Sequence, residues 1–214
     1  MSQVQSTRWL PSYLNSLYHW LKWTEPTWGF TIYRTTYTPR SEATFPAIVD
    51  LITAYVNKDL YKDHETLLKK SRSANEVEIA IFDEMWAKYE PRVIEDAAQF
   101  DGVSIKQVRS HFEAWANNRD MADRFPSYRM FIVIDEESLQ SLHDAPVPED
   151  SPPGSKDRFN HYIKLVEAWQ EPEYPFIGWM KCSLKGLWDV WRNMQDGDYM
   201  RKSYALICQY RDVY

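Results

Sequence analysis

Arg34 lies in the run Trp28-Gly29-Phe30-Thr31-Ile32-Tyr33-Arg34-Thr35-Thr36-Tyr37, at a position that an apolar side chain would ordinarily fill. The run is built from aromatic and β-branched residues, which suit a half-buried pleated strand. Alternation puts Phe30, Ile32 and Arg34 on one face and Thr31, Tyr33 and Thr35 on the other. A buried Arg has to be paired and fully hydrogen-bonded. Arg34 therefore implies an acidic partner, Glu95 or Asp135 on a neighbouring strand, or an anionic ligand gripped by its planar fork of donors. Glu95 and Asp135 both close predicted strands. If they approach each other, one carboxyl gains a raised pKa and can serve as a proton donor or base. The plainer reading makes Asp135-Glu136-Glu137-Ser138 a strand exit and helix start, with carboxylates at the positive end of the helix dipole. Arg34, Glu95 and Asp135 are thus the candidate catalytic residues, and Tyr33 and Tyr162 the candidate substrate-binding groups.

Other constellations are less promising. The histidines His19, His64, His111, His143 and His161 are scattered and show no zinc-ligand spacing. His111 beside the Val108–Trp115 stripe reads as a satisfied boundary residue. Ser104 lacks a Gly-x-Ser-x-Gly elbow and is explained by a capping box with Gln107. The six glycines form no Gly-x-Gly pattern after a strand, so no phosphate-cradling loop is readable. No metal and no cofactor is expected.

The elements that must position these residues follow from periodicity. Leu10, Tyr13, Leu14, Leu17, Tyr18 and Leu21 recur at helical spacing and predict an amphipathic helix over 10–23. Phe45 to Val56 and Val77 to Met85 predict two more helices, with the polar stretch 58–75 as loop or frayed helix. Arg92 to Asp96 reads as a short strand and Ile105 to Trp115 as a helix. Tyr128 to Asp135 is a strand with little polarity on either face, which requires cover on both. Residues 146–155 form a Pro-rich loop. Tyr162 to Trp169 and Phe176 to Cys182 read as strands joined by a hairpin-like connection over 170–173. A helix follows over Leu184 to Met194, and the tail 199–214 is apolar enough to pack. This order points to an α+β domain over 1–214, with a core at about 28–195. The expected fold is a ferredoxin-like, mostly antiparallel sheet with helices on one face. The opposite face would be covered by the N-terminal helix, the tail, a second subunit or a bound small molecule.

Composition narrows the partners. A formal net charge of -6, with Lys69-Lys70-Ser71-Arg72 as its short basic cluster, counts against nucleic acid. No secretory leader and no apolar run of spanning length is visible, so a cytoplasmic protein with reduced Cys182 and Cys208 is expected and no membrane partner. Ten Trp and fourteen Tyr are a high count, fitting a bulky core together with an aromatic pocket or association surface.

The Trp28–Tyr37 segment, Glu95-Asp96 with Phe100-Asp101-Gly102-Val103-Ser104, Val133-Ile134-Asp135-Glu136-Glu137-Ser138-Leu139, Val166-Glu167-Ala168-Trp169 and Gly178-Trp179-Met180-Lys181-Cys182-Ser183 recur in that order. Over roughly residues 28–195 the chain resembles a large family of small proteins from filamentous fungi. The resemblance implies fungal origin and single-domain α+β character, and it implies no activity. Two functions are expected from different classes. One is a small-molecule binder or cofactor-independent isomerase, cyclase or dehydratase of fungal specialised metabolism, with a small organic ligand. The other is a non-catalytic interaction module, such as a homodimer formed through a sheet face.

Overall fold

The computed structural model describes residues 7, 9–71, 77–148, 160–169, 176–195 and 197–210, with side chains through residue 205. Its sheet is organised around strands that are apolar on both faces. β1 (Thr31–Arg34) and β3 (Met130–Ile134) are buried along their whole length. β1 lies between β2 (Arg92–Ile94) and β3 and runs parallel to both. β3 continues into the antiparallel strands β4 (Tyr162–Glu167) and β5 (Trp179–Ser183), giving the order β2-β1-β3-β4-β5.

Parallel neighbours need long crossovers. α2 (Pro39–Lys70) and α3 (Ile79–Trp86) carry the chain from β1 to β2. α4 (Ala97–Phe100), α5 (Ile105–Asn117) and α6 (Pro126–Arg129) carry it back past β1 to β3. These crossovers travel in opposite directions along the sheet, and right-handed connections then put their helices on opposite faces. The core follows that rule. Phe45, Ile48, Ile52 and Val56 of α2 belong to one cluster with Phe30, Ile32, Met130 and Ile132. Val108 and Phe112 of α5, with Phe100, form a second cluster with Tyr33, Phe131 and Val133. α1 (Ser12–Trp23), α7 (Glu136–Leu142) and α8 (Leu187–Asn193), reached through a 3-10 turn at Leu184–Gly186, join the α2 side, as does Met200 of α9 (Tyr199–Tyr210).

The ferredoxin-like, mostly antiparallel sheet with helices on one face is therefore corrected to a mixed sheet covered on both. The order of elements is compatible with either arrangement, because it does not say whether a strand after a helix returns parallel. The two-sided apolar pattern of Met130–Ile134 did carry the information: it required a second layer, and α5 supplies that layer from within the chain over β1 and β3. The stretch after residue 58 is also more ordered than its polarity suggested. α2 runs to Lys70 because Leu60 and His64 continue the buried row that ends at Val56 in the amphipathic reading. Its start is fixed by a reciprocal capping box between Thr38 and Ser41, with Pro39 in the first turn. The tail is helical over Tyr199–Tyr210. The expected 170–173 connection and most of the 146–155 loop lie outside the described residues. Among those described, no helix is long and apolar enough to cross a membrane.

One buried carboxyl makes stability depend on pH. Glu167, at the end of β4, is 2% exposed, and its Oε2 has no hydrogen-bond partner among the described residues. Burial pushes its pKa up to about 8, against the lowering influence of the Arg129 guanidinium. With the folded value above the unfolded value of about 4.5, the unfolded chain releases its proton first. Stability is then full below the unfolded pKa and falls as pH rises toward the folded one. Glu167→Gln, which keeps the shape and stays neutral, should flatten the fall between pH 5 and pH 8 and be more stable than wild type by roughly 3–5 kcal/mol at the upper end. Urea titrations of both proteins across that range check this; parallel pH profiles would contradict it.

Candidate functional site

In open sheets with parallel strands, ligands favour the crevice outside the carboxyl ends of strands whose connections leave toward opposite faces. Here that place is between β1 and β2, and Arg34 occupies it. Its side chain is 4% exposed. Nε donates to the Thr36 carbonyl at 3.0 Å, Nη1 to Glu95 Oε1 at 3.0 Å and Glu42 Oε2 at 3.3 Å, and Nη2 to Ser41 Oγ at 2.8 Å. Nη2 also pairs with Glu42 Oε1 at 2.8 Å. All the donors of a guanidinium are thereby used. The rings of Tyr37 and Phe45 lie 4.4 Å and 5.2 Å from its Cζ. Burial disfavours the charge, and the hydrogen bonds Arg34 donates to Glu42 and Glu95 more than offset it, so its pKa is raised.

Asp135 does not join this cluster. Its Oδ1 caps α7, accepting from the Ser138 backbone N–H and hydroxyl, each at 3.0 Å. Its Oδ2 pairs closely with Lys164 of β4. Lys164 also reaches Glu137 at 2.6 Å, and Lys181 of β5 reaches Glu137 at 2.7 Å. Tyr162 donates to Glu137 at 2.9 Å and accepts from Lys181 at 3.3 Å. Hydrogen bonds from Lys164 and Lys181 hold the Glu137 carboxyl down at about 2, so it stays ionised at neutral pH. Tyr33 points to the other face, fully buried, with its hydroxyl 2.8 Å from His111 Nδ1. The candidate residues are thus split among three settings: Arg34 with Glu95, Asp135 with Tyr162 through Lys164 and Glu137, and Tyr33 with His111.

The opposite edge of the sheet is built differently. Trp28 N–H donates to Lys88 O at 3.0 Å, Glu90 N–H to Trp28 O at 2.8 Å and Arg92 N–H to Phe30 O at 2.9 Å, so the approaches to β1 and β2 run side by side. Gly29 permits this: its φ is +152°, and a Cβ there would lie 2.9 Å from Glu90 O. Between these approaches, the C-terminal part of α5 and α6 lies a cleft of about 250 Å³. Trp28, Trp115 and Tyr128 are among its walls, and Arg92, Arg119 and Ser127 among its polar groups. Trp115 stacks on Tyr128 at 5.0 Å, and the Arg92 guanidinium lies 4.0 Å from the Trp115 ring centroid. Arg92 Nη1 and Ser127 Oγ are both buried, and neither has a hydrogen-bond partner among the described residues. Burial, and after it the neighbouring Glu25 carboxylate, pushes the Tyr128 phenol up to about 12.

A larger cleft of about 580 Å³ between α1, α2 and α8 is chemically closed by comparison. Arg192 bridges Asp63 at 2.8 Å and Asp189 at 2.6 Å, and Trp188 Nε1 and Tyr13 OH also donate to Asp63. Among the described residues no cluster of His, Cys, Asp and Glu is placed to hold a metal ion.

Sequence reasoning missed Glu42, Lys164 and Glu137 as partners, and missed the Arg92 cleft altogether. The signal for Glu42 was present in the Thr38–Ser41 capping box, which puts Glu42 in the first turn of a helix directly after β1. Arg92 carried no comparable mark, since Trp115 and Tyr128 come from elements far along the chain. No known protein family, no curated protein and no solved structure matches this chain.

The burial of Arg34 and its partners is unequal, which sets the expected effect of mutation. The Glu42 and Glu95 side chains are 60% and 46% exposed. Removing the cation lets both carboxylates turn to water, whereas removing the carboxylates leaves a buried cation without a counter-charge. Arg34→Met should cost about 1–2 kcal/mol, and Glu42→Ala with Glu95→Ala about 3–5 kcal/mol, the range for stranding a buried ion. Chemical denaturation of both variants checks the order; a larger loss in Arg34→Met would contradict it.

Proposed function

We propose that the protein binds a small organic molecule in the cleft at the amino-terminal edge of β1, β2 and β3. The observation that carries this reading is the pair of buried polar atoms, Arg92 Nη1 and Ser127 Oγ, without hydrogen-bond partners among the described residues and carried by two residues that line the same cleft. Buried polar groups in folded proteins are nearly always paired, and exceptions call for a ligand or solvent. The aromatic walls give apolar contact, and a few converging polar groups would set orientation, the usual make-up of a small-molecule site. The volume suits a single substituted ring.

Acid–base catalysis at the carboxyl-terminal edge has less support. Arg34 has no donor left for a substrate, Asp135 is committed to a helix cap and Lys164, and Glu137 is held ionised. The reading is therefore a binding protein, in keeping with the specialised metabolism that a filamentous-fungal origin would suggest. An interaction module has its own support in Trp23 at the end of α1, which is 81% exposed.

Native mass spectrometry of protein taken from its own host tests the binding reading. Wild type should retain a small non-covalent adduct that is lost on denaturation. Thr27→Trp, which places a bulky ring at a half-buried lining position, should lack the adduct while keeping its melting temperature. An adduct retained equally by both would move the ligand elsewhere, and adduct-free wild type that is dimeric until Trp23→Ala makes it monomeric would favour the interaction module.

A further inference from the structure

We infer that the group recognised in this cleft is a single carboxylate on a flat unsaturated ring, held by Arg92 and Arg119 with Ser127 completing its hydrogen bonds. This inference rests on the small-molecule reading above and goes beyond it by naming the ligand class.

Arg92 is a cation of the cleft's polar lining. Its first position in β2 is fixed by pairing with Thr31, and its side chain extends over Trp115. A partly buried guanidinium ordinarily has a carboxylate partner, as Arg34 and Arg192 do here. Arg92 has none. Its charge interacts with Tyr33, Arg119, Tyr128 and His111, and Glu25 and Glu90 line the same cleft. Burial first, and the like charge of Arg119 after it, push its pKa down, and an anion seated on the guanidinium would relieve both. Arg119, just beyond α5, lies 5.5 Å from the same Trp115 ring and is exposed. Both guanidinium groups thus share one aromatic surface, and an Arg fork matches the planar carboxylate better than any other common group.

The remaining groups restrict the anion. Glu25 and Glu90 at the cleft bring two negative charges beside the two arginines. Those glutamates repel a phosphate carrying close to two charges more strongly than a singly charged carboxylate. Trp115, Tyr128 and Trp28 give the cleft aromatic walls against which a ring can pack. The Ser127 hydroxyl, buried and unpartnered, can donate to the second carboxylate oxygen.

His111 provides an internal reporter. Its Nδ1 is 2.8 Å from the Tyr33 hydroxyl and its ring packs edge-on to Phe100. Its pKa is lowered by burial first and by the Arg92 charge second. An anion seated on Arg92 offsets that charge, so the His111 pKa should move upward on binding; a neutral ring should leave it in place.

The experiment compares benzoate with benzamide, which share ring and shape and differ in charge, by calorimetric titration of the full chain with NMR titration of His111. Benzoate should bind at least tenfold more tightly than benzamide and raise the His111 pKa. In Arg92→Met the two probes should bind alike. If that variant does not fold, Arg119→Gln, altered at an exposed position, should narrow the preference severalfold. Equal affinity of wild type for both probes, with no His111 shift, overturns the carboxylate assignment while leaving the cleft a small-molecule site. Absence of binding by either probe also overturns it, and the retained-adduct measurement then judges the broader reading independently.

Discussion

β1 and β3 are apolar on both faces and must be dry on both faces, and most of the architecture follows from that constraint. A sheet whose middle strands need two covers cannot be served by helices on one side. The chain meets the need by sending α2 over one face and α5 over the other, in crossovers that run in opposite directions. Parallel pairing of β1 with both neighbours is the consequence, since each crossover returns the chain to the same end of the sheet. With both faces closed over β1 and β3, polar chemistry in that part of the sheet is confined to the two edges where strands begin and end.

Those edges have been resolved in opposite ways. At the carboxyl-terminal edge each charge is answered from within the chain: Arg34 by Glu42 and Glu95, Lys164 by Asp135 and Glu137, Lys181 by Glu137. Such a network ties β1 to the start of α2 and to the end of β2, and ties β3 to β4. It fixes geometry and leaves little freedom for exchange with a substrate. At the amino-terminal edge the corresponding cation, Arg92, meets an aromatic ring and a second cation instead. A fold that satisfies Arg34 so completely and leaves Arg92 Nη1 without a partner among the described residues has placed its open donor at one end.

The sequence made some of this legible. Alternation along Thr31–Arg34 correctly separates Arg34 from Tyr33, because a strand offers only two faces. Pairing of Arg34 with Glu95 follows from both residues ending adjacent strands, and the cap at Asp135 follows from Ser138 three residues later. Glu42 escaped notice because its position depends on the turn at Thr36–Thr38 folding back, a tertiary event. The direction of the strands escaped for a related reason: helix–strand order is the same in parallel and antiparallel versions. The Arg92 cleft was invisible because its walls come from the approach to β1, α5 and α6, which meet only after the second crossover has closed.

Arg34, at the carboxyl-terminal edge, is saturated by the protein, and the partly buried Arg92, at the opposite edge, is not. Nitrogen-15 NMR of the arginine side chains tests this difference directly, because a guanidinium held by partners at every N–H rotates slowly and resolves its Nη protons. For the ligand-free protein the account predicts resolved, slowly exchanging Nη signals for Arg34 and a rotationally averaged set for Arg92. Resolved signals for Arg92 in the absence of any ligand, or averaged signals for Arg34, would contradict it.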